Sequence, residues 1–336
     1  MLDDASAGFL AAAGWGTAAA QPLAGDASAR AYLRLIRPDG SRAVLMLAHG
    51  DASTARFVTV DAHLHGIGLS VPKILAADPA AGLLLLEDLG DAVFARLIET
   101  DPTVERPLYM AAVELLAGLP SHSALAGLEI QEPDALAQAV APAADWYLGQ
   151  GTAQPDAAAA LAAALRPALA RILPAVQPVF VHRDFHAENL IWLPDRDGPA
   201  QIGLLDFQDA LTGHPAYDLV SLLEDARRDL APDLRADMVA HYARLTGTEP
   251  DELHRALAIL GAQRNLRILG IFARLSLLGG KPRYVDLIPR VWQHLHGDLA
   301  HPSLRAVGET VARLLPVPTP QFLSMLTARC GTIPTR

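Results

Sequence analysis

Three polar residues of this chain have types and a spacing that could perform chemistry. Asp184 follows an apolar run, Asn189 comes five positions later in HRDFHAENLIWL, and Asp206 follows a second apolar run in LLDFQD. A carboxylate can take the proton of an attacking hydroxyl, while amide and carboxylate oxygens suit Mg²⁺. The order H-R-D-x-x-x-x-N followed by D-F-x therefore indicates phosphoryl transfer, with Asp184 as the base and Asn189 and Asp206 as metal ligands.

Short strands must hold these residues in place. The distribution of apolar residues predicts strands at residues 179–181, 190–193 and 202–205, and PDRDGP predicts a turn between the last two. The apolar residues on both sides would fix the loop, so that its polar side chains face the phosphates. The alternative is that Asp184 only caps the turn that follows it.

The N-terminal part of the chain has the pattern of a small antiparallel sheet with one helix. Alternating residues predict strands with turns at Gly25-Asp26 and at Pro38-Asp39-Gly40, and a further strand covers residues 44–47. Helices are predicted at residues 3–13 and 53–66. Two short strands around Asp78-Pro79 end at Glu87-Asp88.

Beyond Gly90 the pattern becomes helical. Residues 91–175 are predicted to be mostly helical, and so is the chain from residue 216 to about residue 315. The sequence therefore predicts an α+β fold, with a small sheet in residues 1–88 and a helical domain in residues 89–336.

Composition restricts the class of protein and its partners. The net charge of −10 argues against a nucleic-acid partner, which would normally need a basic stripe. Cys330 is the only cysteine, which excludes an internal disulfide and fits a reducing compartment. The acidic start MLDDASAGFL is unlike a secretory signal, and no uninterrupted apolar run reaches transmembrane length. We expect a soluble cytoplasmic monomer with no membrane partner.

In three motifs the chain resembles the aminoglycoside phosphotransferase and choline-kinase superfamily. These motifs are HRDFHAENLIWL, GLLDFQDALTGHPAYDLVSLL and LLLLEDLGD. The resemblance extends from about Leu23 to the final helices and is most specific in residues 181–228. It implies a protein-kinase-like, two-lobed fold that uses ATP and Mg²⁺. Residues 1–88 would be the nucleotide-binding N-lobe, and residues 89–336 would be the helical C-lobe with the catalytic loop and the sugar site.

The same resemblance implies roles for individual residues. Asp184 would be the catalytic base, and Asn189 and Asp206 would bind Mg²⁺. Asp218, in GHPAYDL, would be structural and would brace the catalytic loop, as would His182. A carboxylate favoured by the dipole of a helix N-terminus is a compatible explanation for Asp218. The interlobe hinge that meets adenine would consist of Glu87, Asp88 and Leu89.

One departure from the kinase motif concerns the nucleotide phosphates. Kinases carry a lysine on the third strand, paired with a glutamate of the next helix. Here Met46 takes the lysine's place, and helix 53–66 contains Asp61 but no glutamate. Arg30 or Arg34 could reach the phosphates instead, although both could equally be solvated strand residues. ATP is then held differently, or the chain is a degenerate nucleotide-binding scaffold; the joint presence of the three polar residues above favours activity.

The choice of acceptor follows from a closer resemblance within the superfamily. HRDFHAENLIWL, LLDFQDALTGHPAYDLVSLLEDARRD, QRNLRILGIFARL and the lysine-free VLM strand are similar to the anomeric amino-sugar kinases of bacterial cell-wall recycling. This similarity implies phosphorylation of N-acetylmuramate and N-acetylglucosamine at the C1 hydroxyl.

Physical chemistry favours the same acceptor. Arginines and amides suit a carboxylate and an N-acetyl group, whereas choline would need aromatic residues around its ammonium and aminoglycosides an acidic groove. On a helix, Gln263, Arg267 and Arg274 would share one polar face. The expected sugar-binding residues are His186, Glu188, Arg227, Gln263, Arg264 and Arg267. Each could instead belong to a solvated face with ion pairs such as Glu224–Arg228.

Three other functions stay open at this point. His182, Asp184 and His186 could together bind Zn²⁺. The acceptor could be an aminoglycoside, choline or a homoserine-like molecule, and the chain could bind nucleotide without catalysis. Phosphate-binding P-loops, dinucleotide fingerprints and the G-x-S-x-G elbow are absent from the sequence.

Overall fold

The fold is described from a computed structural model, in which residues 2–23, 30–48 and 53–334 are defined. The chain forms two compact units. The first comprises Met1–Leu115 with Ala187–Ala210, and the second comprises Leu116–His186 with Leu211–Arg336. The expected boundary at residues 88 and 89 lies inside the first unit, and a functional division there stays a prediction. The turn predicted at Gly25-Asp26 lies outside the described residues.

The described residues form short strands and many helices. The strands are β1 (Ala19–Leu23), β2 (Ala31–Ile36), β3 (Arg42–Leu47), β4 (Ile74–Asp78), β5 (Leu83–Glu87), β6 (Val179–Val181), β7 (Leu190–Trp192), β8 (Ile202–Leu204) and β9 (Leu211–Gly213). The α-helices are α1 (Asp4–Ala12), α2 (Ser53–Gly66), α3 (Phe94–Thr100), α4 (Glu105–Gly118), α5 (Pro133–Gln138), α6 (Pro155–Ile172), α7 (Tyr217–Leu223), α8 (Pro232–Thr246), α9 (Pro250–Leu277), α10 (Ile288–Leu299), α11 (Arg305–Leu314) and α12 (Pro320–Ala328). The prediction of an α+β fold is confirmed.

The first unit contains an antiparallel sheet in the order β1-β2-β3-β5-β4. The predicted turn between β2 and β3 is present: Gly40 has a φ of +84°, and the N–H of Ser41 donates to Asp39 Oδ1 at 2.9 Å. Leu45 and Leu85 lie opposite each other on β3 and β5, and both are buried. Residues of α1 and the turn after it pack on this face through Leu10 and Trp15.

A short hairpin of β7 and β8 also belongs to the first unit. Strands of three residues are too short to be stable alone, so neighbouring segments must hold them. The N–H of Trp192 donates to Ala92 O at 2.8 Å, and the N–H of Leu204 donates to Ser70 O at 2.8 Å. Gly203 packs against the predicted hinge residue Leu89, and a Cβ at Gly203 would lie only 2.8 Å from Leu89 Cδ1. The hairpin is therefore fixed from both edges.

The second unit is built around α9, most of which is buried. Helices α7 and α10 and the turn of π-helix at Ala143–Leu148 pack against it. At Gly270 a Cβ would come within 2.0 Å of the Pro142 backbone, so glycine permits this close helix contact. Helix α12 continues the helical domain beyond residue 315, where the prediction ended.

Two helices of the described chain are long and apolar enough to cross a membrane by length and composition alone. They are Pro155–Ala175 and Pro250–Leu277, and the most apolar window of the second is 83% buried inside the protein. Neither helix contains an uninterrupted apolar run of transmembrane length, because polar residues are scattered along both segments. The burial of Pro250–Leu277 is the behaviour of a core helix.

Candidate active site

A single carboxylate anchors the backbone of the loop that carries Asp184. Asp218, in the first turn of α7, accepts hydrogen bonds from the N–H groups of His182 at 2.6 Å and Arg183 at 2.9 Å. Ser221 Oγ donates to Arg183 O at 3.3 Å. Burial raises the pKa of Asp218 to about 6, although its bonds to His182 and Arg183 act in the opposite direction. This is the geometry that the predicted bracing role requires.

Backbone strain occurs at two of the positions singled out by the sequence. Arg183 has a φ of +76° and Asp206 a φ of +60°; Gln150 is the other described non-glycine residue with a positive φ. Side chains with a Cβ rarely adopt this conformation, and it persists where the surroundings impose it. At Arg183 the bonds to Asp218 and Ser221 impose it, and they thereby fix the direction of the next residue, Asp184.

Asp184 lies among cationic groups of the second unit. Burial alone would raise the pKa of Asp184, but its electrostatic interactions with His186 and with the guanidinium groups of Arg267 and Arg264 outweigh burial and hold the pKa below its usual value. The carboxylate is therefore ionised at neutral pH, as a proton acceptor must be.

His182, the histidine of the HRD motif, packs in the interior of the second unit. The ring of His182 is buried and meets Phe185 edge-on, with 5.9 Å between the ring centroids. Within the described residues, no three or more His, Cys, Asp or Glu side chains come together as a metal site. The zinc alternative built on His182, Asp184 and His186 therefore has no geometric support.

The two predicted magnesium ligands lie at the same end of the β7–β8 hairpin, in the first unit. Asn189 ends a short helical turn before β7, and the N–H of Leu205 donates to Asn189 O at 2.9 Å. Asp206 follows Leu205, its side chain is 44% exposed, and its Oδ1 accepts from Gln208 Nε2 at 2.8 Å. One amide and one half-exposed carboxylate are a donor set that fits Mg²⁺, which keeps several waters as ligands.

An arginine approaches the same carboxylate. Arg30, directly before β2, is 93% buried along its side chain, and its Nη1 lies 3.6 Å from Asp206 Oδ1. Its Nη2 donates to Ser53 Oγ, at the first residue of α2, at 2.5 Å. Met46 on β3 is fully buried, so the position of the kinase lysine is apolar. Arg30 thus brings a guanidinium beside Asp206, and its contact with the nucleotide phosphates stays a prediction.

The second arginine proposed for the phosphates is occupied elsewhere. Arg34 pairs with both carboxylate oxygens of Asp88, at 2.7 and 3.0 Å, and with Asp91 Oδ1 at 2.8 Å. Asp88 also accepts from the N–H of Gly90 at 2.9 Å. The guanidinium of Arg34 therefore holds the segment after β5, and its contact with phosphate stays a prediction.

The hinge carboxylates are likewise directed at protein groups. Glu87 accepts from Arg196 Nη2 at 2.9 Å and from the N–H of Lys73 at 3.2 Å. The predicted contact of Glu87, Asp88 and Leu89 with adenine can thus involve their backbone, while the two carboxylates fix the segment's shape. The adenine contact itself stays a prediction.

Two of the predicted sugar-binding residues lie close together in the second unit. Arg227 Nη1 is 3.4 Å from His186 Nε2, and the N–H of Arg227 donates to Asp225 Oδ1 at 3.0 Å. Burial lowers the pKa of His186 to about 4, although Asp225 and Asp184 act in the opposite direction. His186 is therefore neutral at neutral pH and lies within the electrostatic reach of Asp184.

The other expected sugar residues divide into three environments. Gln263 is fully buried and donates to Leu136 O at 3.1 Å rather than lying on a solvated face, and its role in sugar binding stays a prediction. Arg264 is 4% exposed and donates to Glu224 O at 3.3 Å, while Arg267 is half-buried. Glu188 lies in the first unit, where its charge acts on Arg96. The roles of Arg264, Arg267 and Glu188 stay predictions.

Sequence reasoning missed residues that fix the site from a distance. Asp225 is 2% exposed beside His186, and nothing in its sequence context distinguishes it from the other acids of LEDARRD. Gln131 accepts from the N–H of His214 at 3.2 Å and crosses β9 so closely that Gly213 has no room for a Cβ. The glycine in LTGH was the signal that could have pointed to this contact.

The sheet-containing unit, the helical unit and the loop with Asp184 define a kinase-like phosphotransferase fold. The chain belongs to the phosphotransferase enzyme family, whose model matches residues 19–260. The predicted class of enzyme, a phosphotransferase with a hydroxyl acceptor, is confirmed, and so are the superfamily and the two-lobed α+β fold.

Named relatives lie within this family. The chain is 41% identical to the N-acetylmuramate/N-acetylglucosamine kinase of Caulobacter vibrioides, over 94% of this chain and 97% of that protein. It is 32% identical to the Pseudomonas aeruginosa protein of the same name, over 93% and 94% of the two chains. A ternary complex of streptomycin, ATP and APH(2")-IIa shares the fold, with a TM-score of 0.58 and 13% identity over 90% of this chain and 98% of that one.

Proposed function

We propose that this protein is an ATP-dependent kinase that phosphorylates N-acetylmuramate and N-acetylglucosamine at the C1 hydroxyl. The observation that carries the proposal is the 41% identity, over almost the whole of both chains, to a protein named for these two sugars. The family match and the presence of Asp184, Asn189 and Asp206 support a catalytic rather than a scaffold role. The anomeric position is the more specific part of the proposal and rests on the motifs.

The proposed mechanism is a direct in-line transfer. Asp184 orients the C1 hydroxyl and takes its proton while the oxygen attacks the γ-phosphorus of ATP and the bond to ADP breaks. An anomeric hydroxyl is more acidic than an ordinary alcohol, so an ionised carboxylate with a lowered pKa is a sufficient base. Asn189 and Asp206 would hold Mg²⁺, which neutralises the negative charge of the phosphates when it is bound.

Arg30 is the proposed replacement for the missing kinase lysine. Its guanidinium is oriented by Ser53 and lies beside Asp206, whereas Arg34 is occupied by Asp88 and Asp91. A planar guanidinium can donate two parallel hydrogen bonds to phosphate oxygens, which an ammonium cannot do. This arrangement supports nucleotide binding without a lysine on β3.

A monomer in the cytoplasm is part of the same proposal. Cys330 is a free thiol, and the acidic composition is unsuited to nucleic acid. Peptidoglycan recycling, which both substrates imply, is the proposed biological setting.

The test is phosphate transfer from ATP and Mg²⁺ to N-acetylmuramate, N-acetylglucosamine, choline and kanamycin. The products would be analysed by ³¹P NMR, with the Asp184→Asn variant as the control for contaminating kinases. We expect an anomeric phosphate signal from both amino sugars and none from the control. Transfer to choline or kanamycin alone would replace the proposed acceptor, and ATP binding without any transfer would favour the scaffold alternative.

A further inference from the structure

Two buried polar atoms, one of them in the loop of Asp184, have no hydrogen-bond partner among the described residues. They are His186 Nδ1 and Asp225 Oδ2, and their side chains belong to residues that are 6% and 2% exposed. Both residues belong to the second unit. Buried groups of this kind normally find a partner, because leaving one unsatisfied costs about 1–3 kcal/mol. Such groups beside a proposed catalytic residue point to a ligand.

The hydrogen-bonding roles of the two atoms are complementary. Burial lowers the pKa of His186 to about 4, so its ring is neutral at neutral pH and has one N–H. Arg227 Nη1 lies 3.4 Å from Nε2, and a guanidinium only donates, so Nε2 is the acceptor and Nδ1 has the hydrogen. His186 therefore offers an unused donor, and Asp225 Oδ2 offers an unused acceptor.

Arg227 contacts both residues from the solvent side. Its side chain is 28% exposed, its Nη1 is 3.7 Å from Asp225 Oδ1, and its N–H donates to the same oxygen. Arg264 is almost completely buried and donates to Glu224 O. Of these two arginines, Arg227 is the more exposed, so its guanidinium is the one that a ligand can reach from solvent.

Building on the proposed function, we propose that His186, Asp225 and Arg227 form the site that recognises the acceptor sugar. Arg227 pairs with the carboxylate of N-acetylmuramate. His186 and Asp225 bind the C2 acetamido group that both sugars share, through the Nδ1–H and the Oδ2 that Arg227 does not contact. Arg227 is then the residue that distinguishes the two acceptors.

The chemistry of the sugar fits the order of these residues. The acetamido group offers one N–H and one carbonyl oxygen, which match the Asp225 oxygen and the His186 N–H. The acetamido group is attached to C2, which adjoins the reacting C1. His186 in turn lies close to Asp184 along the loop, because the backbone N–H of His186 donates to the backbone carbonyl of Asp184 at 3.1 Å. The lactyl group is attached at the next ring carbon, and Arg227 Nη1 lies 3.4 Å from His186 Nε2, next to the proposed acetamido contacts. N-Acetylglucosamine lacks the carboxylate and gains nothing from Arg227.

The test compares kcat/KM for the two sugars in Arg227→Gln. Loss of a charge-assisted pair predicts a fall of about tenfold to a hundredfold for N-acetylmuramate and less than about threefold for N-acetylglucosamine. The matched control is Arg290→Gln. Arg290 holds the same segment by donating to Asp229 and to Ala226 O, at 2.6 to 2.9 Å, and it lies outside the proposed site. The control should leave the ratio of the two sugars unchanged.

A second variant tests the shared acetamido contact. Asp225→Asn keeps the size of the side chain and should raise KM for both sugars by roughly tenfold, with KM for ATP unchanged. Equal losses with the two sugars in Arg227→Gln, or a raised KM for ATP in Asp225→Asn, would overturn the inference and make these residues structural. Failure of the unaltered protein to phosphorylate either sugar would overturn the proposed function, and the inference with it. Activity with an unchanged ratio would overturn the inference alone.

Discussion

The segment after β5 and the loop around Asp184 differ in how completely their buried polar atoms are paired. In the first, the carboxylates of Glu87, Asp88 and Asp91 are each paired with an arginine of the first unit. In the second, Asp225 Oδ1 pairs with Arg227, but Asp225 Oδ2 and His186 Nδ1 have no hydrogen-bond partner among the described residues. Paired charges fix a backbone, whereas buried polar atoms without a partner are places where a ligand can bind. The contrast separates carboxylates that shape the first segment from the atoms proposed to meet a substrate in the second.

Removing the proposed base should have the largest effect. Asp184→Asn cannot take the proton of the acceptor, and we expect kcat to fall by about 10³-fold or more, within the usual range for a general base and its positioning. The thermal midpoint should stay within a few degrees of that of the unaltered protein. Stopped assays that quantify sugar phosphate would measure this, and full activity in the variant would contradict the assignment.

The brace of the loop should affect stability as well as activity. Asp218→Ala leaves two buried N–H groups, of His182 and Arg183, without an acceptor, and each costs about 1–3 kcal/mol. Urea denaturation should show the loss. Asp218→Asn retains one acceptor and should cost less. Equal stability of all three proteins would mean that these bonds do not hold the loop.

The two arginines predicted to reach the nucleotide phosphates should separate nucleotide binding from stability. Arg30→Met should lower kcat/KM for ATP by roughly tenfold to a hundredfold, because it removes the proposed phosphate contact. Arg34→Met should act mainly on stability, by about 1–2 kcal/mol, since it breaks the pairs with Asp88 and Asp91. Steady-state kinetics and urea midpoints measured on both variants decide the matter. The reverse outcome would restore Arg34 as the phosphate ligand.

The smallest expected effect concerns an exception within the first unit. Asp61 on α2 is buried, its Oδ2 accepts no hydrogen bond from the residues that the structure describes, and burial raises its pKa to about 7. A raised folded-state pKa means that the stability it contributes is present at acidic pH and is lost as pH rises toward 7. Asp61→Asn should therefore match the unaltered protein near pH 4 and exceed it by roughly 1–2 kcal/mol at pH 8. Urea midpoints at the two pH values test this. His65 Nε2 lies 3.8 Å from Asp61 Oδ2, and an unchanged midpoint at pH 8 would mean that His65 neutralises the carboxylate of Asp61.

The sequence predicts the local elements well, since their signals lie within a few residues. The helix at residues 53–66, the turn at Pro38-Asp39-Gly40 and the strands that flank Asn189 and Asp206 required only periodicity and turn chemistry. The motif residues were found because their spacing is short and specific.

Partners distant in the sequence could not be predicted in this way. Arg34 lies 54 residues from Asp88, and Gln263 lies 127 residues from Leu136. Gln263 was placed on a polar face because helical spacing puts it there, but α9 is surrounded by other helices and buries polar positions too. The partners of Arg34 and Gln263 are set by tertiary packing, which overrides an amphipathic pattern.

The first unit is assembled from two separate stretches of chain, and this has a consequence for synthesis. The sheet and the hinge emerge early from the ribosome, but the hairpin with Asn189 and Asp206 follows only after residues 116–186 have been made. The strands of the five-stranded sheet are therefore synthesised long before either proposed metal ligand. Both halves of the candidate chemistry, the base and the metal ligands, are translated within 184–206, so the protein gains its whole catalytic set almost at once.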